Sequence, residues 1–149
     1  MYARILVPLD SALVTEQVLV HAAVLAGSYN SLVTLVHVVA PPVPSPVPVL
    51  PGSYADPERA TERARQEGRR ELDRLADRLR GQGIAVQTAQ LEGAPANELS
   101  GYARHHGVDL VVMADPAQSG LGRLFSDRMA ETLLHSVRCP VLLVPVRSR

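Results

Sequence analysis

No lysine occurs in this 149-residue chain; all fifteen basic residues are arginine. That absence excludes a P-loop, Schiff-base chemistry and the phosphate-pairing lysine of a protein kinase, each of which needs an amine. Aromatic residues are nearly as scarce, with no Trp and a single Phe. The core must therefore be built from Val, Leu, Ile and Ala, and a module that stacks nucleic-acid bases on aromatic rings does not fit this inventory. Neither sign of charge is in excess, with fifteen basic residues against fifteen acidic. The balance leaves no electrostatic footprint for DNA, RNA or an anionic membrane surface. A single cysteine, Cys139, rules out an internal disulfide. The opening segment MYARILVPLD has no charged region followed by an apolar stretch and a cleavage site, and no apolar run reaches the length of a membrane span. The expectation is a soluble cytoplasmic protein.

What is present is an alternation of strand and helix signals. Residues 5–7 (ILV) form a β-rich run ending at Pro8, Leu9 and the carboxylate of Asp10. Ser11 or Thr15 is placed to cap a helix that runs to Gly27 as its C-cap. Residues 31–39 (SLVTLVHVV) are apolar and β-branched enough for a strand covered on both faces. Seven prolines then fall within residues 41–57, which forbids helix and central strand and predicts an extended surface connection. Asp56-Pro57 is a strong helix start, an N-cap acid followed by proline at the first helical position. The helix reaches about residue 80, with Ala60, Ala64, Gly68, Leu72, Leu75, Ala76 and Leu79 as its inward stripe. Residues 84–91 alternate as an exposed edge strand would. A third helix stops at Gly107, a buried strand covers 109–114, a fourth helix covers about 123–137, and a last strand covers 141–146. Strands joined by single helices predict a parallel sheet with right-handed crossovers. Ligands in such folds bind beyond the C-terminal strand ends. That points to residues 8–10, to residues 38–40 around Val39, and to residues 114–122 just after Met113.

Four stretches together resemble the universal stress protein family: ILVPLDSA, VTLVHVV, EGAPANELSGYARHHGVDLVVMA and LLHSVRCPVLLVPV. They stand in the family's order and spacing and cover nearly the whole chain. The resemblance implies an open five-stranded parallel sheet of order 3-2-1-4-5 with helices on both faces, adenine-nucleotide α-hydrolase-like, in one domain. It also implies a homodimer paired through the last strand, from residue Val141 at its start to residue Val146 at its end.

One branch of the family binds ATP through a loop after the fourth strand, patterned Gly, two residues, Gly, nine residues, then Gly followed by Ser or Thr. Glycines there let backbone N–H groups approach the phosphates at a helix N-terminus. In register from Met113, the four positions are held by Ala114, Ala117, Asp127 and Arg128, and all four depart from the pattern. The alanines add methyl groups, and Asp127 puts a carboxylate where phosphates would lie. Arg128 either offsets that charge or pairs with an acid. Gly120 and Gly122, with Arg123 at the start of the expected helix, form either a small anion nest or an ordinary turn. Asp10 either serves the first helix as a cap or, as the resemblance implies for the matching acid, lies beside adenine and ribose. The five histidines make no metal pattern: His105 and His106 diverge on a helix, and His37, near a strand end, either lines the cleft or is a satisfied core or rim residue.

These readings give a non-enzymatic, dimeric stress-response protein without a required cofactor. The alternative is an ATP- or AMP-binding protein using Asp10, Gly120, Gly122 and Arg123. A slow ATPase and a docking module built on the Pro-rich connection are further alternatives.

Overall fold

The computed structural model describes residues 1–41, 56–115 and 125–147. Within them nine elements alternate: β1 (Arg4–Pro8), α1 (Ala12–Tyr29), β2 (Leu32–Val39), α2 (Pro57–Gly81), β3 (Ala85–Glu92), α3 (Pro95–His105), β4 (Leu110–Ala114), α4 (Asp127–Ser136) and β5 (Val141–Val144). The strands form one sheet of order β3-β2-β1-β4-β5, and every pairing is parallel. The expected fold is therefore present. The Pro-rich segment 42–55 and residues 116–124 lie outside the described residues, and with them Ala117, Gly120, Gly122 and Arg123.

Alternation along the strands splits the core into two layers, since successive side chains point to opposite faces. Ile5, Val7, Val33, Leu35 and Val112 pack under α1 and α2, against Val14, Val18, Leu72 and Leu75. Leu6, Val36, Val111 and Met113 pack under α3 and α4, against Leu99, Ala103, Ala130 and Leu133. The central strands β1 and β4 are apolar on both faces because both faces are covered. β3 is only half-buried along most of its length, as an edge strand should be.

Helix ends follow local chemistry. Asp56 caps α2, its carboxylate accepting from the N–H groups of Glu58 and Arg59. Asp109, just before β4, holds the start of β1 by accepting from the N–H groups of Ala3 and Arg4 at 2.8 and 3.0 Å.

Three boundaries correct the expectations. α1 passes through Gly27 and ends at Tyr29, because Asn30 adopts the left-handed conformation (φ 53°) and its N–H reaches Ala26 O; Asn tolerates that region through its short polar side chain. α4 begins at Asp127 rather than near 123, because Ser126 accepts from the Met129 N–H and so fixes the N-cap. β5 ends at Val144, although Val146 remains 2% exposed in the core. Two hydrogen bonds hold the chain beyond β5: Gln17 Nε2 donates to Arg147 O, and the Arg147 N–H donates to Gln17 Oε1, both at 2.7 Å. In addition, the eighteen residues of α1 average 1.2 in hydropathy, long and apolar enough to pass for a span by composition. Its Val14, Val18, Ala22 and Ala26 instead bury against the sheet.

Candidate functional site at the strand ends

The first strand end is built by backbone continuation. Leu9 extends the ladder past β1, its N–H donating to Val36 O at 2.8 Å. The chain then turns into α1 around Thr15, whose buried hydroxyl receives the Asp10 N–H at 2.8 Å and donates to Asp10 O at 3.1 Å. Ser11 takes the N-cap position with no side-chain bond to the first turn. Asp10 is thus not the helix cap. Its carboxylate accepts from the adjacent Ser11 N–H at 2.8 Å, and the residue is only 8% exposed.

A cleft of about 310 Å³ opens beside this turn, at the small end of the range for ligand pockets. Its floor is Leu9 with the end of β2: His37, Val38, Val39 and Ala40. One wall is α2, through Ala60, Thr61 and Ala64, and the opposite rim is Pro95 and Phe125. Ala60, Ala64 and Gly68 recur every fourth residue along α2. Small residues at that spacing keep the helix face flat above the β2 end. The sequence pattern marked this stripe as core. It did not mark it as a cleft wall, because periodicity reports which face turns inward and not whether the space beneath it is filled. Phe125, the only Phe of the chain, is 8% exposed, and nothing in its local sequence pointed to the cleft.

The structure separates the other predicted residues from this lining. Pro8 is buried within β1. Met113 and Ala114 end β4 with 1% and 3% exposure, and Ala114 pairs in register with Val144. Asp127 is the first residue of α4 and lies exposed, as does Arg128. A carboxylate in the first turn and the Ser126 hydroxyl therefore already answer the positive end of α4, the place an anion would occupy.

His37 is the titratable group of the cleft. Partial burial, which disfavours the charged ring, lowers its pKa from the ordinary 6.5. The unfolded chain takes that proton first. The associated stability is complete above pH 6.5 and declines as pH falls toward the lower folded value. Two of the other histidines are engaged elsewhere. His105 Nδ1 lies 3.0 Å from Gly101 O, and the His106 ring stacks on Tyr102 with centroids 3.9 Å apart. Cys139 is half-buried, its thiol pKa raised by desolvation and by the nearby Asp109, which suits a small core residue rather than a reactive one.

Comparison with known proteins agrees with this architecture. Residues 1–145 match the model of the universal stress protein family. A universal stress protein of Methanocaldococcus jannaschii is 32% identical over 146 residues, covering 97% of this chain and 82% of its own. A crystal structure of a universal stress protein family member from Burkholderia pseudomallei superimposes with a TM-score of 0.74 at 31% identity, covering 97% of each chain. The universal stress protein of Archaeoglobus fulgidus, solved in complex with dAMP, shares the fold at a TM-score of 0.64 and 17% identity, with 98% of each chain covered. Sheet order, strand-end cleft and near-complete sequence coverage converge: the chain belongs to the universal stress protein family.

Proposed function

We propose that this chain is a non-enzymatic universal stress protein that has lost the cradle for a triphosphate and keeps a small, mostly apolar cleft for a weakly held, nucleoside-sized ligand. The observation that carries this reading is Asp127 at the first position of α4. Two like charges some 4 Å apart near a surface cost about 1–4 kcal/mol, so this acid opposes a phosphate at the helix end where the ATP-binding pattern places glycine. Calorimetric titration tests it. Adenosine is expected to give weak heat, with Mg·ATP no tighter and no nucleotide turned over. Micromolar affinity for Mg·ATP, or turnover lost in Asp10→Ala, overturns it.

The second reading, an ATP- or AMP-binding protein, is favoured by the dAMP complex of the Archaeoglobus fulgidus relative. It needs the residues 116–124 to supply what Asp127 opposes.

The same proposal includes a homodimer through β5. What supports it is the edge position of β5 in the sheet, with Leu142 37% exposed. An unpaired edge bearing apolar side chains calls for cover, and a two-fold axis lets the edge cover itself. Sedimentation is expected to find a dimer that Leu142→Asp converts to monomer; an unchanged dimer rejects this interface.

A further inference from the structure

Gly68 lies in the interior of α2, where glycine costs about 1 kcal/mol relative to alanine. What it allows is the close seat of His37. A Cβ on Gly68 would stand 2.6 Å from His37 Cγ and nearer still to Nδ1 and Cε1. The ring thus rests its Nδ1–Cε1 edge against the helix, with Nε2 and Cδ2 on the far side. The β2–β3 register sets His37 opposite Gln90, and Gln90 Nε2 lies 3.1 Å from His37 Nδ1.

The direction of that bond follows from the rest of the Gln90 amide. Its Nε2 also donates to Arg65 O at 2.8 Å, and its Oε1 accepts from Arg69 Nη2 at 3.4 Å. The opposite amide orientation would set oxygen against the Arg65 carbonyl. With NH2 facing the ring, Nδ1 must accept, so His37 is neutral and carries its proton on Nε2. The acids on this side, Glu62 and Glu92, are bonded to the Arg65 guanidinium, and with Arg69 on Gln90 Oε1 the two negative and two positive charges balance.

We infer that the His37 Nε2–H is the recognition donor of the strand-end cleft, reading a neutral acceptor atom, a ring nitrogen or carbonyl, on a nucleobase-sized heterocycle. The inference rests on the proposed reading of the cleft and adds what the cleft selects. Leu9, Val39, Ala64 and Phe125 supply an apolar surround in which a flat ring is held by contact and oriented by one hydrogen bond. With its proton on Nε2 and Nδ1 engaged by Gln90, the ring offers a metal ion no free lone pair.

Ring-nitrogen NMR on protein carrying 15N-labelled histidine tests this without any substitution. The free protein is expected to show His37 as the Nε2–H tautomer, and millimolar adenosine is expected to shift its Nε2 signal. His37→Leu is expected to weaken adenosine binding roughly three- to tenfold, the scale of one neutral hydrogen bond, and His37→Asn, which keeps a donor, to recover part of it. An Nδ1–H tautomer, adenosine binding that leaves the His37 nitrogens unmoved, or no adenosine binding at all overturns the inference. Tight Mg·ATP binding with the His37 shift intact would instead overturn only the loss of the triphosphate cradle.

Discussion

Two glycine-to-alanine substitutions, both within helices, are expected to move stability in opposite directions. Gly27→Ala in α1 gains up to about 1 kcal/mol, because alanine has the higher helix propensity and a Cβ there meets nothing within 4 Å. Gly68→Ala receives the same propensity gain and still loses. Its Cβ would collide with the His37 ring, and overpacking of this kind costs about 1–3 kcal/mol. Displacing the ring from the helix breaks its contact with Gln90 and forfeits about 1 kcal/mol more. A net loss of about 1–3 kcal/mol follows. Urea denaturation of the two variants beside the parent checks it. Equal and positive changes at both positions would show that α2 yields without cost and that Gly68 has no packing role.

The second large effect is a gain of binding. Restoring the family pattern with Ala114→Gly, Ala117→Gly, Asp127→Gly and Arg128→Ser removes the Asp127 carboxylate and the Arg128 guanidinium from the α4 N-terminus and returns a hydroxyl there. Removing the Asp127 like charge, worth about 1–4 kcal/mol, predicts roughly five- to several-hundredfold tighter Mg·ATP binding. Asp127→Gly alone should carry most of it, since the electrostatic opposition belongs to that residue. Ser126 already caps α4, so the helix start survives the exchange. Adenosine affinity should stay unchanged in the same variants, because Asp127 is not part of the cleft lining. A restored protein that binds Mg·ATP no better would place the obstacle outside these four positions.

The fold was legible because its signals are local and repeated. Asp56-Pro57 announced α2 through cap chemistry, and the β-branched runs at 32–39 and 110–114 announced strands covered on both faces. The sheet order came from resemblance alone; periodicity says that a strand is buried and not which strand lies beside it. Boundaries failed where two residues competed for one role. Gly27 resembles a stop, but Asn30 three residues later takes the left-handed position. Gly122-Arg123 resembles a helix start, but Ser126 takes the cap.

The site was less legible, for a different reason. The strand-end rule found Leu9 and Val39, since topology fixes where strands end. It also drew in Pro8, Met113 and Ala114, which lie at the same ends but are buried inside the sheet and its packing. The α2 wall and Phe125 come from distant segments, and their convergence is a tertiary fact. His37 illustrates the limit most clearly. Its position near a strand end was readable, whereas its tautomer depends on Gln90, Arg65 and Gly68, three residues that only the folded register brings to one ring.

Proton and phosphorus NMR of Mg·ATP in the presence of the unmodified protein ask most directly which part of a nucleotide the molecule can hold. The base-proton signals should broaden or shift as adenine enters the cleft, while the β- and γ-phosphorus lines stay as they are in free Mg·ATP. Broadening of the γ-phosphorus line, abolished by competing ADP, would mean that the α4 N-terminus holds the phosphate tail despite Asp127.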